Sequence, residues 1–267
     1  MADKNTKIPD PDYYYGYAER KTAWDRGDLK RAIDFIREKF LGGEVKKILE
    51  VGCGMAGILE HIPREIDYYG LDPAEICIET TKKKYPNAFF ELGYVEKVPF
   101  ADNLFDLIFS HQVLEMLNDP QQGLKEMMRV VRPGGYVVII APNLEVPWSE
   151  IHAVRHYTKL RRLILLFQRF GDLFFRLFGR LRFRTLDQSH MQATGKFEKS
   201  DDDLKYITSA YEVATFFKRH GFIELERKNI HYPSNSPKNF LKNIIIKIPI
   251  FKYYNSGMFF VFKKNSK

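Results

Sequence analysis

The chain has 267 residues, with 42 Lys and Arg against 34 Asp and Glu for a formal net charge of +8, and it is 45% hydrophobic and 28% charged. That length suits one large domain or two small ones with a core that needs no staples, and the balance excludes wholesale disorder, collagen-like repeats and low complexity. Two cysteines, Cys53 and Cys77, are too few for a disulfide framework or a thiolate zinc site, so a reducing, cytoplasmic setting is expected.

Residues 1–11 are polar and lack the apolar centre of a signal peptide, so export by that route is not expected. The run Asp12-Tyr13-Tyr14-Tyr15-Gly16-Tyr17 follows. Residues 28–41 carry Leu29, Ala32, Ile33, Ile36 and Phe40 at helical spacing, stopped by Gly42 and Gly43, which predicts a helix packed on what comes next. From residue 45 to 143, short apolar runs alternate with helical patterns. Strands are expected at 47–51, 67–71, 88–92, 104–110 and 136–141, with helices at 56–62, 74–84 and 120–131. Such alternation predicts parallel βαβ units with helices on both faces of one sheet.

The rhythm then fails for about fifty residues. From His152 to Arg184 there are nine Lys and Arg and one acid, Asp172, so this stretch carries the charge excess of the whole chain. Leu163, Leu166, Phe167, Phe170, Leu173, Phe174, Leu177, Phe178 and Leu181 recur mostly at steps of three and four, while Arg162, Arg169 and Arg176 fall seven apart on another face. The pattern is that of a helix lying in a membrane interface, with Gly171 and Gly179 as points that would divide it. Arg169, Asp172 and Arg176 interrupt any run long enough to span a bilayer. An interfacial anchor on an anionic membrane surface, a lid over a substrate pocket and a helical contact in a homodimer all fit the stripe. Past a polar loop at 188–205, a helix at 211–220 and strands at 222–230 and 258–263 resume the pattern, with a further excursion at 231–255.

The most informative stretch is Glu50-Val51-Gly52-Cys53-Gly54-Met55-Ala56-Gly57, a strand running into a glycine turn. Gly52, Gly54 and Gly57 fit the spacing of a dinucleotide fingerprint, and equally that of a tight strand-to-helix turn. Glu50 stands inside the strand, a costly place for a carboxylate without partners. Asp72 ends the second strand, where open α/β sheets bind ligands and where an acid can accept both ribose hydroxyls. Further on come Gly93-Tyr94-Val95-Glu96, Phe105-Asp106-Leu107-Ile108 and Arg129-Val130-Val131-Arg132-Pro133-Gly134-Gly135.

In this order the motifs resemble those of the class I S-adenosylmethionine-dependent methyltransferases of the small-molecule group, densely over residues 45–143 and loosely from 208. The resemblance implies an α/β, Rossmann-like sheet of seven strands, the last antiparallel, with helices on both faces and the helical insertion after the fifth strand. It divides the chain into an N-terminal cover and helix (1–41), a cofactor-binding core (42–147), a basic amphipathic insertion (148–205) and a segment completing the sheet (206–267). S-adenosylmethionine would be the cofactor. Glu50 would belong to the cofactor site, Gly52 and Gly54 would line the methionine moiety, Asp72 would hold the ribose, Val95 and Glu96, with Tyr94 beside them, would edge the adenine, and Ser110 and His111 would close the methionine side. Tyr94 stands where the family usually has Asp; it can stack on the adenine or donate a hydrogen bond but cannot accept one as a carboxylate does, so either Glu96 takes that place or cofactor affinity is lower.

Methyl transfer from a sulfonium needs mainly alignment and exclusion of water. His111 is the candidate general base, or else a residue whose backbone touches the cofactor. Tyr14 and Tyr17 are candidate substrate contacts in a cover over the site, or simple packing. Gln112-Val113-Leu114-Glu115-Met116 also resembles the E-M-L-E-H run of the ubiquinone-biosynthesis O-methyltransferases, whose acids and histidine are tied to a metal ion. Gln112 and Met116 leave that set incomplete, so metal-independent action is expected. The expected function is in-line methyl transfer to a small acceptor, apolar or membrane-associated, on the cytoplasmic face. RNA methylation and a non-catalytic, membrane-recruited cofactor-fold protein are the alternatives.

Overall fold

The computed structural model describes residues 27–145, 151, 154–187, 204–230 and 257–266. Helix α1 (Gly27–Leu41) leads into β1 (Lys47–Val51), β2 (Asp67–Asp72), α2 (Glu75–Lys84), β3 (Phe89–Leu92), β4 (Phe105–His111), α3 (Pro120–Val130) and β5 (Val131–Pro142). Helix α4 (Lys159–Leu177), α5 (Ala210–Arg219), β6 (Phe222–Ile230) and β7 (Gly257–Lys264) follow. The seven strands form one sheet in the order β3-β2-β1-β4-β5-β7-β6. Strands β1 to β5 run parallel, and β7 is antiparallel to both β5 and β6.

Period-two alternation along the central strands sends side chains to two cores. Leu49, Val51, Ile108, Val137, Ile139, Phe260 and Phe262 meet α3 and α5 on one face. Ile48, Leu107, Phe109, Val138, Ile140, Phe259 and Val261 meet α1 on the other, through Ala32, Ile33, Phe35 and Ile36. Arg31 of α1 also grips the Glu226 carboxylate of edge strand β6 with its Nε and Nη2. Helix α3 starts where Pro120 follows Asp119, whose carboxylate accepts from the Gln122 amide at 3.0 Å, a cap with proline at the first helical position.

The expected strands are present, β5 with five more residues at its start. The expected helix at 56–62 is only a 3-10 turn, Gly57–Glu60, too short for an apolar stripe to matter. Gly171 does not divide the insertion: α4 runs through it for 19 residues, because a lone interior glycine costs only about 1 kcal/mol against Ala. Gly179, at φ +69°, lies just past the helix end as expected of a terminating glycine. The excursion at 231–255 lies outside the described residues.

Two motif residues prove to be structural. The Asp106 carboxylate accepts from the Lys46 and Lys47 amides at the start of β1, both at 2.8 Å, and from Arg132 Nε of β5 at 2.5 Å. Arg132 Nη2 then donates to the Glu44 carbonyl at 2.8 Å. Burial pushes the Asp106 pKa up, but Arg132 and the two amides outweigh it and hold the carboxyl below its ordinary value. A depressed folded pKa stabilises above the unfolded value and is lost as pH falls through the folded one. Asp106→Ala should therefore cost about 2–3 kcal/mol at pH 7, with the gap to wild type narrowing below about pH 4. Denaturant midpoints across pH check this, and a gap independent of pH would contradict it.

Candidate functional site

The sheet order brings the candidate residues to one edge. Strands β3, β2, β1 and β4 are successive neighbours, and parallel pairing in register aligns their carboxyl ends: Asp72 opposite Leu92, Val51 opposite both Leu71 and Ser110. Glu50 and the Gly52–Gly54 turn therefore sit between Asp72 on one side and Ser110 and His111 on the other. Tyr94, Val95 and Glu96 follow β3 at the end of the row.

The turn after β1 is held by main-chain bonds from the Gly52 and Cys53 amides to the Leu71 carbonyl, 2.7 and 3.1 Å. Gly52 has φ +67°, and a Cβ there would lie 2.3 Å from Val113 Cγ2. Glycine is thus required twice at Gly52, for its dihedral and for the approach of the post-β4 loop. Gly54 also has positive φ, yet a Cβ there would meet nothing within 4 Å, so the space beside it at the carboxyl edge of the sheet is open. The third left-handed residue is Ala56, at φ 52°, while Gly57 begins the 3-10 turn. The dinucleotide spacing through Gly57 is therefore not the one that the backbone uses.

Asp72 is 6% exposed. Its Oδ2 accepts from the Gly54 amide and its Oδ1 from the Ala74 amide, each at 2.9 Å, so one carboxylate joins the loop after β1 to the loop after β2. Burial raises its pKa, and the two amides only partly offset this. Glu50 is buried beside it and accepts from the Tyr68 hydroxyl. Burial pushes the Glu50 carboxyl up to about 8, with the charge of Asp72 adding to the rise and the Tyr68 bond opposing it. A cationic ligand at this edge would meet two carboxyls that low polarity holds back from ionising, and would favour their charged forms.

Ser110 Oγ is fully buried with no hydrogen-bond partner among the described residues, a group that a polar ligand at the turn would satisfy. His111 stacks on Phe109 at 6.4 Å, and burial lowers its pKa to about 4, so the imidazole is neutral near pH 7. Tyr94 and Glu96 are half-buried and Val95 is buried in the core. Glu96 Oε1 accepts from the Asn118 amide at 2.9 Å, so this carboxylate is already engaged with the segment leading into α3. Tyr14 and Tyr17 lie outside the described residues.

Sequence reasoning missed three participants. Tyr68 partners Glu50 from the neighbouring strand; its place in β2, two strand positions from Gly70, was the available signal. Gln112 holds φ 56° immediately after β4, with its amide on the Ile140 carbonyl at 2.8 Å, a left-handed turn for which a glutamine gives no hint. Past β5, Glu145 is buried and its Oε2 accepts from Ser209 Oγ at 2.7 Å and the Tyr211 amide at 3.2 Å. Arg176 of α4 stands 3.6 Å away. This carboxylate ties the insertion and the start of α5 to the end of β5. Among the described residues no three His, Cys, Asp or Glu side chains are grouped to hold a metal.

The raised Glu50 pKa has a consequence for stability. Between about 4.5 and 8 the folded state keeps a proton that the unfolded chain releases, so stability falls as pH rises across that window. Glu50→Gln should flatten this decline in the ligand-free protein, as read from denaturant midpoints between pH 5 and 9. An unchanged slope would show that Glu50 is ionised throughout. Gly52→Ala, by contrast, should cost about 2–4 kcal/mol at any pH, from left-handed strain and overpacking against Val113; an unshifted melting temperature would contradict the close approach.

Comparison with known proteins agrees with this geometry. A family described as a methyltransferase domain matches residues 49–139. An uncharacterized methyltransferase of Schizosaccharomyces pombe is 40% identical over 105 residues, 34% of this chain and 38% of the relative. A demethylmenaquinone methyltransferase of Chlorobaculum parvum is 37% identical over 112 residues, 40% of this chain and 46% of the relative. A phthiotriol/phenolphthiotriol dimycocerosates methyltransferase of Mycobacterium tuberculosis is 34% identical over 130 residues, 46% of this chain and 47% of the relative. The chain thus spans less than half the length of these curated relatives. The crystal structure of an S-adenosylmethionine-dependent methyltransferase from Mesorhizobium loti shares the fold, with TM-score 0.53 and 15% identity over 91% of this chain and all of that one. Residues 49–139 thus match a methyltransferase domain, and the seven-stranded sheet that holds them has the fold of an S-adenosylmethionine-dependent methyltransferase.

Proposed function

We propose that the protein transfers a methyl group from S-adenosylmethionine to a small apolar acceptor, taken up at a membrane surface. The carrying observation is the Asp72 carboxylate, clamped by the Gly54 and Ala74 amides at the head of β2, with lone pairs left to accept the ribose hydroxyls. Gly52 sets the turn, Gly54 leaves open space for the methionine moiety, and Ser110 Oγ supplies a free donor or acceptor next to it. Tyr94 and Val95 border the adenine end, where the aromatic ring of Tyr94 replaces the usual acid by stacking.

When bound, the cofactor supplies a methyl group already activated by a positive sulfur, which passes in line to the acceptor and leaves S-adenosylhomocysteine. The chain's own part is alignment and exclusion of water. A protonated acceptor must also give up a proton, and His111, held neutral near pH 7, can accept a hydrogen bond from it. With a pKa near 4 it is a weak base, so a His111-dependent acid limb in the rate would lie near pH 4 rather than 6.5. The apolar acceptor is supported by the Leu- and Phe-rich insertion bound to the end of β5, and by relatives named for methylating demethylmenaquinone and a mycocerosate lipid.

The test is calorimetric binding followed by turnover. The wild type should bind S-adenosylmethionine, and Asp72→Ala should weaken binding by at least 1–3 kcal/mol, since the variant also frees the two loops. Unchanged affinity would sink the assignment of this edge. With detergent-dispersed isoprenoid quinols or long-chain phenols as acceptors, S-adenosylhomocysteine should accumulate at a rate that EDTA leaves intact. Turnover with RNA alone, or loss in EDTA restored by magnesium, would contradict the reading.

A further inference from the structure

Helix α4 is built with its ionic side inward. Leu165, Arg169 and Asp172 are buried, Arg169 at only 7% exposure, and Arg176 lies on the same face. Each charge has a fixed partner there. Arg169 Nη2 donates to the Leu144 carbonyl at 2.7 Å, Arg176 faces Glu145, and Asp172 accepts both Nε and Nη2 of Arg184 at 2.5 and 2.7 Å. The expectation that Arg162, Arg169 and Arg176 share a solvent-facing polar side is therefore corrected: only Arg162 is exposed.

The opposite side is apolar and open. Leu160, Leu163, Ile164, Phe167, Phe170, Phe174, Leu177 and Phe178 are 45–68% exposed. At 100° per residue those within the helix fall on one arc, opposite the buried charges. A 19-residue helix gives this ridge a length of about 28 Å. Large apolar side chains at this density mark a binding surface, not ordinary exposure. No helix among the described residues is long and apolar enough to cross a membrane, so the ridge must lie on its partner.

Charge selects among partners. Lys159, Arg162, Arg180 and Arg182 are exposed at the borders of the ridge, and from Thr158 to Arg184 the sole acid is the buried Asp172. A second copy docking through a two-fold axis would set these cations against their own images. Nucleic acid would satisfy the charge but leave the Leu and Phe side chains in water. An anionic lipid surface satisfies both, by burial of the apolar ridge and attraction of the flanking cations.

We propose that the outward face of α4 docks this protein on an anionic lipid bilayer, held apolar-side-out by the Arg169, Asp172 and Arg176 contacts to the end of β5. This deepens the reading of an apolar acceptor and rests on it only for what the bilayer would deliver. Because Glu145 joins α4 to the carboxyl edge of the sheet, docking sets that edge close to the lipid.

The test uses the full chain and vesicles of phosphatidylcholine with and without an equal share of phosphatidylglycerol. Wild type should sediment with the anionic vesicles at least tenfold more tightly than with neutral ones, and high salt should release it only in part, because screening leaves the burial term. The triple variant Phe167→Ser, Phe174→Ser, Phe178→Ser changes only exposed side chains. It should lose at least tenfold in vesicle affinity with melting temperature and S-adenosylmethionine binding unchanged, and Lys159→Glu with Arg180→Glu should remove the preference for anionic lipid. Failure of the wild type to sediment would overturn the proposal. So would a wild-type dimer that the triple variant dissociates, or protection of the α4 ridge by another segment of the chain in lipid-free hydrogen exchange. None of these outcomes depends on turnover, so they leave the methyl-transfer reading to its own test.

Discussion

The site depends on one buried carboxylate with both oxygens committed to the main chain. Asp72 would be expensive at 6% exposure without partners, and the amides of Gly54 and Ala74 supply them. The exchange fixes two loops at once: the turn after β1 cannot move without breaking the bond to Gly54, and the turn into α2 cannot move without breaking the bond to Ala74. Gly52 adds a third constraint, because the 2.3 Å that would separate its Cβ from Val113 shows how tightly the post-β4 loop closes on the same turn. Three neighbouring strand ends thus become one coupled rim, and on the proposed reading a cofactor would meet a site already set by folding.

The same economy appears at the other end of the edge, with the opposite outcome. Glu145, buried past β5, is matched by Arg176, Ser209 and the Tyr211 amide, and these fix the insertion by its charged side. A surface helix ordinarily buries its apolar stripe. Here the ionic contacts take the inner face, so the hydrophobic driving force of eight Leu, Ile and Phe side chains is left unspent. The fold thus sets a rim that the polar main chain organises, the proposed cofactor edge, beside a ridge suited to an apolar phase.

The sheet and the rim were largely legible in the sequence, since local signals carry them. The alternation of residues 47–51 and 104–110 states which faces are buried, and Glu50 to Gly54 and Gly70 to Pro73 state where strands end. Register then brings Asp72, Gly52 and Ser110 together without further information. What was not legible depended on partners distant in the chain. Periodicity in residues 159–181 shows that α4 has two unlike faces but not which one turns inward; that is decided by Glu145, Leu144 and Arg184. Likewise Glu50 reads as an acid in a strand, and only its burial in the folded sheet, with the charge of Asp72 adding to the effect and the Tyr68 hydroxyl opposing it, explains its raised pKa. The role of Asp106, holding β1 to β5, was hidden inside a motif that resemblance had already assigned to the family. The dinucleotide spacing misled at Gly57 because the left-handed position is filled by Ala56, whose dihedral no composition rule announces.

On the proposed reading one ligand edge, from the turn at Gly52–Gly54 to Ser110, holds the cofactor while α4 stays outside it. Hydrogen–deuterium exchange with and without S-adenosylhomocysteine tests this most directly. Slowed exchange should appear in residues 50–57, 70–75, 93–98 and 110–113, with no change along 159–177. Absence of protection at the glycine turn and after β2, or protection confined to the insertion, would contradict it.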